Sequence, residues 1–142
     1  MDAMQISRSG LDVEWQRLQV IAENLANVNT SRTAGGEPYR AMRLLSGPKA
    51  SFDAAVKGKE TTLAPQAVQV LGIEPEGTGV RRVYDPNDPQ AGADGFVTYP
   101  AIDHAGEMTL MIQTSRAYEA DLAALNMAHQ MYARALDLGK QS

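Results

Sequence analysis

Apolar residues recur at alternating three- and four-residue steps along the last third of the chain, at Met108, Met111, Ser115, Tyr118, Leu122, Leu125, His129, Tyr132 and Leu136. Seven of these nine are apolar or aromatic, the heptad spacing of a helix with a continuous contact seam. No Pro or Gly interrupts residues 107–138, Asp103 stands upstream as an N-cap, and Gly139 followed by Lys140 supplies a stop. The pattern predicts one helix of roughly 48 Å, longer than a compact chain of this size needs to cross its own core. Such a helix wants a partner.

The flanks of this seam are unusual. Between residues 120 and 136 the only formal charges are Asp121 and Arg134, and Ala123, Ala124, Asn126, Met127, Ala128, Ala133 and Ala135 fill the positions beside the seam. A helix that packs on one side normally carries a charged opposite face. Here the pattern predicts burial by neighbours on more than one side, as in an assembly.

The same spacing returns near the start, at Leu11, Trp15, Leu18, Ala22 and Leu25, broadened by Val20, Ile21 and Val28. Residues 3–28 therefore read as a second amphipathic helix, capped by Asp2, with Gly10 costing about 1 kcal/mol relative to Ala. Asn24, Asn27 and Asn29 crowd its end, and Gly35, Gly36 and Pro38 complete a turn. Strand signals follow at 39–45, 67–73, 80–84 and 95–99, enough for a small sheet at most. Residues 46–66, with Pro, Lys and Thr and few large apolar groups, read as a loop.

The expected fold is mainly α with a small β insertion. The long terminal helices pair as an antiparallel coiled coil, residues 1–30 and 103–142 forming the helical unit and 31–102 a connecting loop and small β-containing region. The residues placed in the helix contacts are Leu11, Trp15, Leu18, Asn24, Leu25 and Asn27 from the first helix, and Met111, Tyr118, Leu122, Leu125, Tyr132 and Leu136 from the last.

Composition narrows the function. The 142 residues hold 44% hydrophobic side chains but only two Phe and one Trp, so one modest core is the expectation. A net charge of −4 without a dense basic run argues against nucleic acid or an anionic membrane surface as main partner. The absence of Cys excludes disulfides, thiol nucleophiles and Cys-ligated metal. No apolar stretch suits a cleaved signal peptide or a membrane span, so the expectation is a chain that stays in the cytosol or leaves by a route needing no cleaved signal.

Candidate chemistry is thin. Asp103, His104 and Glu107 are three metal-ligand types, but a capping Asp and a first-turn Glu explain two of them. His129 in the seam reads as a register-setting polar residue, and Ser115 has no nearby base. Asp85-x-Asn87 begins like a calcium loop but places Pro89 at the third ligand position and Gln90 where Gly is required. Gly77-x-Gly79 lacks the third Gly of a dinucleotide loop, and the Met residues at 108, 111, 127 and 131 read as packing. Neither a catalytic site nor a cofactor is expected. Arg116 and Glu119 form an i,i+3 pair that could instead bridge subunits.

Several motifs coincide. Glu23-Asn24-Leu25-Ala26-Asn27-Val28-Asn29-Thr30, the longer link Ser31-Arg32-Thr33-Ala34-Gly35-Gly36-Glu37-Pro38-Tyr39-Arg40, Tyr84-Asp85-Pro86-Asn87-Asp88-Pro89, Asp94-Gly95-Phe96-Val97, and Ser115-Arg116-Ala117-Tyr118-Glu119-Ala120 together resemble the bacterial flagellar basal-body rod proteins, in particular the short proximal-rod type. The resemblance covers about residues 3–45 and 67–139. Two departures are Asp121, where the family commonly has Asn, and the length of 46–66. The resemblance implies a structural subunit that leaves through the flagellar export apparatus without a cleaved signal. It further implies helical stacking with its own copies and with proximal and distal rod proteins in the periplasm, with peptidoglycan left open as a contact. Two rival classes are a small cell-wall enzyme, for which a paired carboxylate site is missing, and a cytosolic coiled-coil adaptor or chaperone.

Overall fold

The computed structural model describes residues 3–49, 67–77 and 79–140. The elements in chain order are α1 (Ala3–Ala26), β1 (Met42–Pro48), β2 (Val68–Pro75), β3 (Val80–Tyr84), β4 (Phe96–Pro100) and α2 (His104–Lys140). The chain is mainly helical, with both helices and all four strands close to their expected positions. The Asp2 cap and most of the 46–66 loop lie outside the described residues.

Boundaries differ in instructive ways. β1 starts later than expected and runs through Ser46 and Gly47 to Pro48, which the sequence pattern assigns to the loop. Antiparallel pairing with β2 explains this, because Ser46↔Val70, Gly47↔Gln69 and Pro48↔Val68 extend the ladder regardless of the low apolar content. The register shifts between Leu45 and Ser46, leaving Leu71 as the extra residue on β2. The expected single small sheet is instead two separate two-stranded ribbons, β1–β2 and β3–β4. Gly139 does not stop α2, which continues to Lys140; the positive-φ glycines are Gly36, Gly79 and Gly95.

α1 lies between two partners. One face, carrying buried Val13 and Val20, packs on Leu44 of β1 with Met42, Val68 and Val70 around it. Polar contacts fix the same face: the Val68 amide donates to Ser9 Oγ at 3.0 Å, and Arg17 donates to Ser46 Oγ at 2.8 Å. The other face meets α2. Asn24 touches Glu107, the rings of Trp15 and Tyr118 have centroids 6.3 Å apart, and Gly10 lies under Asp121. These contacts run in opposite chain directions, so α2 passes the start of α1 and continues beyond it.

The β3–β4 ribbon is fastened to the turn after α1. Asn27 Nδ2 bonds back to the Glu23 carbonyl at 2.8 Å, Thr30 Oγ1 donates to Asn27 Oδ1 at 2.9 Å, and Arg81 donates to Asn29 Oδ1 at 3.4 Å. The Asn cluster thus ends the helix and places the ribbon, as the left-handed tolerance and local bonding of Asn allow.

Candidate assembly site

Two features dominate the helix pair: a buried polar hub at one end and an uncovered apolar flank along α2. The hub forms because the last turn of α1 and the first turn of α2 meet beside β1. Asn24 is fully buried, 0% exposed, and Glu107 is 2% exposed. The Asn24 amide nitrogen donates to the Met42 carbonyl at 2.9 Å and to Glu107 Oε2 at 3.2 Å. Its oxygen accepts from the Met42 amide at 2.8 Å and from the Tyr39 hydroxyl at 2.9 Å. The side chain therefore imitates a neighbouring strand for Met42 while reaching a helix 83 residues away.

Glu107 is held on its other oxygen by Arg43, whose guanidinium also reaches Glu76 Oε2 at 2.8 Å. That cation is pushed further from deprotonation chiefly by its hydrogen bond to Glu107, against the opposing effect of burial. The Tyr39 hydroxyl is raised above its usual range, first by burial and then by the charges of Glu23 and Glu107. A buried carboxylate is tolerated only with such partners, and here both oxygens are occupied. Glu107 is committed to Asn24 and Arg43, so it does not join Asp103 and His104 as a ligand set.

The sheltered positions of α2 after Glu107 are Leu110, Met111, Thr114, Ser115, Tyr118, Asp121, Ala124, Leu125 and Ala128. This is a heptad stripe, but it is not the expected one. Met111, Ser115, Tyr118 and Leu125 are shared, whereas Met108, Leu122 and His129 are exposed. The stripe facing α1 is thus turned by one residue at alternate steps, placing Glu107, Thr114 and Asp121 inward and part of the apolar row outward. On α1, Leu11, Leu18, Leu25 and Asn27 are half-buried and Trp15 is 54% exposed; the deepest positions are Val13, Val20, Ile21 and Asn24.

What remains uncovered is large and apolar. Leu11, Trp15, Tyr118 and Leu125, with Arg8 and Asp12 at the side, line an open groove of about 750 Å³ between the helices. Farther along, Met131 is 72% and Leu138 70% exposed, with Tyr132 and Leu136 also exposed. Every residue from 129 to 140 is exposed. Arg116 and Glu119 are exposed as well, and among the described residues neither side chain makes an ion pair or hydrogen bond.

The hub is not visible in local sequence because Glu107 reads there as a first-turn acid and Asn24 as part of a helix-ending cluster. A signal existed: Arg43 is a lone cation in an apolar strand, and such a residue calls for a buried acid.

A long paired helix with an uncovered apolar flank, joined to small β ribbons, defines a structural assembly protein, and the comparisons agree. The family described as "Flagella basal body rod protein" matches residues 4–32, and that described as "Flagellar basal body rod FlgEFG protein C-terminal" matches residues 93–138. The flagellar basal-body rod protein FlgC of Bacillus subtilis is 34% identical, with 97% of each chain covered. FlgC of Escherichia coli O6:H1 is 33% identical over 99% of this chain and 98% of its own, and FlgC of Borreliella burgdorferi 33% over 94% and 93%. The chain belongs to the FlgC family of flagellar basal-body rod proteins.

Proposed function

We propose that this chain is a structural subunit of the proximal rod, stacking helically with its own copies and with other rod proteins to form the periplasmic drive shaft and export channel. The observation that carries this reading is the apolar flank of α2. Burying a side chain such as Leu136 or Leu138 contributes about 1.5–3 kcal/mol, and a helix keeps such residues in water only when something covers them in use. At roughly 1.5 Å per residue, the 37-residue α2 outreaches the 24-residue α1 by about 20 Å. Neighbouring helices would complete the coiled coil along that overhang.

In this reading residues 1–30 and 103–142 form the axial unit, and 31–102 the lateral one. Arg116 and Glu119 pair between subunits. The chain acts without catalysis or cofactor and reaches the periplasm through the flagellar export apparatus without a cleaved signal. The test is Leu136→Asp. The variant should fold normally as a free chain and fail to enter purified basal bodies; incorporation at the wild-type level would refute the proposal.

A further inference from the structure

The α1–α2 contact holds two inward carboxylates, two heptads apart, with opposite surroundings. Glu107 is bonded on both oxygens. Asp121 is not: among the described residues its carboxylate makes no hydrogen bond or ion pair, although the side chain is pressed against α1. Its Oδ2 lies 2.6 Å, and its Cγ 3.0 Å, from where a Cβ on Gly10 would stand. A side chain on Gly10 would push the Asp121 carboxylate out of this position. The charged residues nearest along α1 are Arg8 and Asp12, one on either side of Gly10, and on α2 Arg116 and Glu119. None of them pairs with Asp121.

We propose that the helix pair is a latch hinged at the Asn24–Glu107 hub and poised to open from the Asp121–Gly10 end, where an ionised, uncompensated carboxylate keeps the outer segments loosely closed in the free chain. Neutralising that carboxylate closes the latch. Partial burial of an unpaired charge costs free energy that its neutral form does not. In agreement, desolvation raises the Asp121 carboxyl above its ordinary value of 3.8. The sign follows. Asp121 binds its proton more tightly folded than unfolded, so closure is strongest in acid and weakens as pH rises from about 3.8 through the higher folded value. The outer segments, free to separate at neutral pH, are the ones whose apolar flank lacks a partner within the chain.

Hydrogen exchange on the free chain tests this, read as protection factors at pH 4 and pH 8 for the wild type and Asp121→Asn. Asparagine keeps shape and removes charge. At pH 8 the variant should gain about tenfold protection in residues 6–14 and 118–128, with none around Asn24 and Glu107, and should lose the difference between the two pH values. Glu107→Gln is the control of opposite sign: it should lose protection at the hub, because that carboxylate is paired. Equal or lower protection of the outer segments in Asp121→Asn overturns the latch.

Discussion

Asn24 and Glu107 sit 83 residues apart in sequence and meet at 3.2 Å with almost no exposure to water. That bond ties the end of α1 to the start of α2, and Met42 and Arg43 tie both to β1. The helix pair is thereby fixed in register at one end by polar groups, while its apolar flank is left for other chains.

Replacing Asn24 by Leu keeps the volume but strands the Met42 amide, the Tyr39 hydroxyl and one Glu107 oxygen. Unsatisfied buried groups cost about 1–3 kcal/mol each before relaxation, so a loss of about 3 kcal/mol is expected in urea unfolding of the free chain. A loss under about 0.5 kcal/mol would mean that the hub does not hold the fold.

Arg43→Met should be as damaging, about 3–5 kcal/mol, because it leaves Glu107 buried without its cation. The double variant Arg43→Met, Glu107→Leu should recover much of that loss. A double-mutant cycle by thermal unfolding reads the coupling, and additive losses would show that the pair is not coupled.

Gly95 holds φ at 76°, and a Cβ there would stand 2.8 Å from Tyr84 Cε2. Gly95→Ala combines backbone strain with displacement of the Tyr84 ring from its edge contact with Phe96, whose centroid is 5.2 Å away. A loss of about 1–2 kcal/mol is expected, seen in the melting midpoint.

The turn of the same ribbon responds to acid. The Asp94 carboxyl is held below its ordinary 3.8, first by the Phe96 amide and also by Arg82. A lowered folded pKa means that this contribution is complete above the unfolded value and is lost as pH falls below about 3.8 through the folded one. The Phe96 amide resonance should shift over that acid window in the wild type and stay still in Asp94→Asn.

The helices were legible because heptad spacing survives any packing arrangement, and the strands because alternating apolar residues are bounded by Pro, Gly and Asp. The direction of the seam was not. Counting apolar residues selects the most hydrophobic stripe, yet the chain turns Glu107, Thr114 and Asp121 inward and satisfies the first through Arg43 and Asn24. Such pairing depends on side chains 64 and 83 residues away, which periodicity within a helix does not contain. Leu122 and Leu136, expected in the seam, are exposed in the single chain. Ribbon pairing was hidden for a similar reason: register is set across β1 and β2, not along either.

The measurement that bears most directly on the account is hydrogen exchange of residues 129–140 in the free chain and in purified basal bodies. This segment extends past α1 with Met131, Tyr132, Leu136 and Leu138 exposed, so its amides should exchange rapidly in the free chain and become strongly protected in the particle. The same rapid exchange in both would contradict the claim that neighbouring subunits cover the flank.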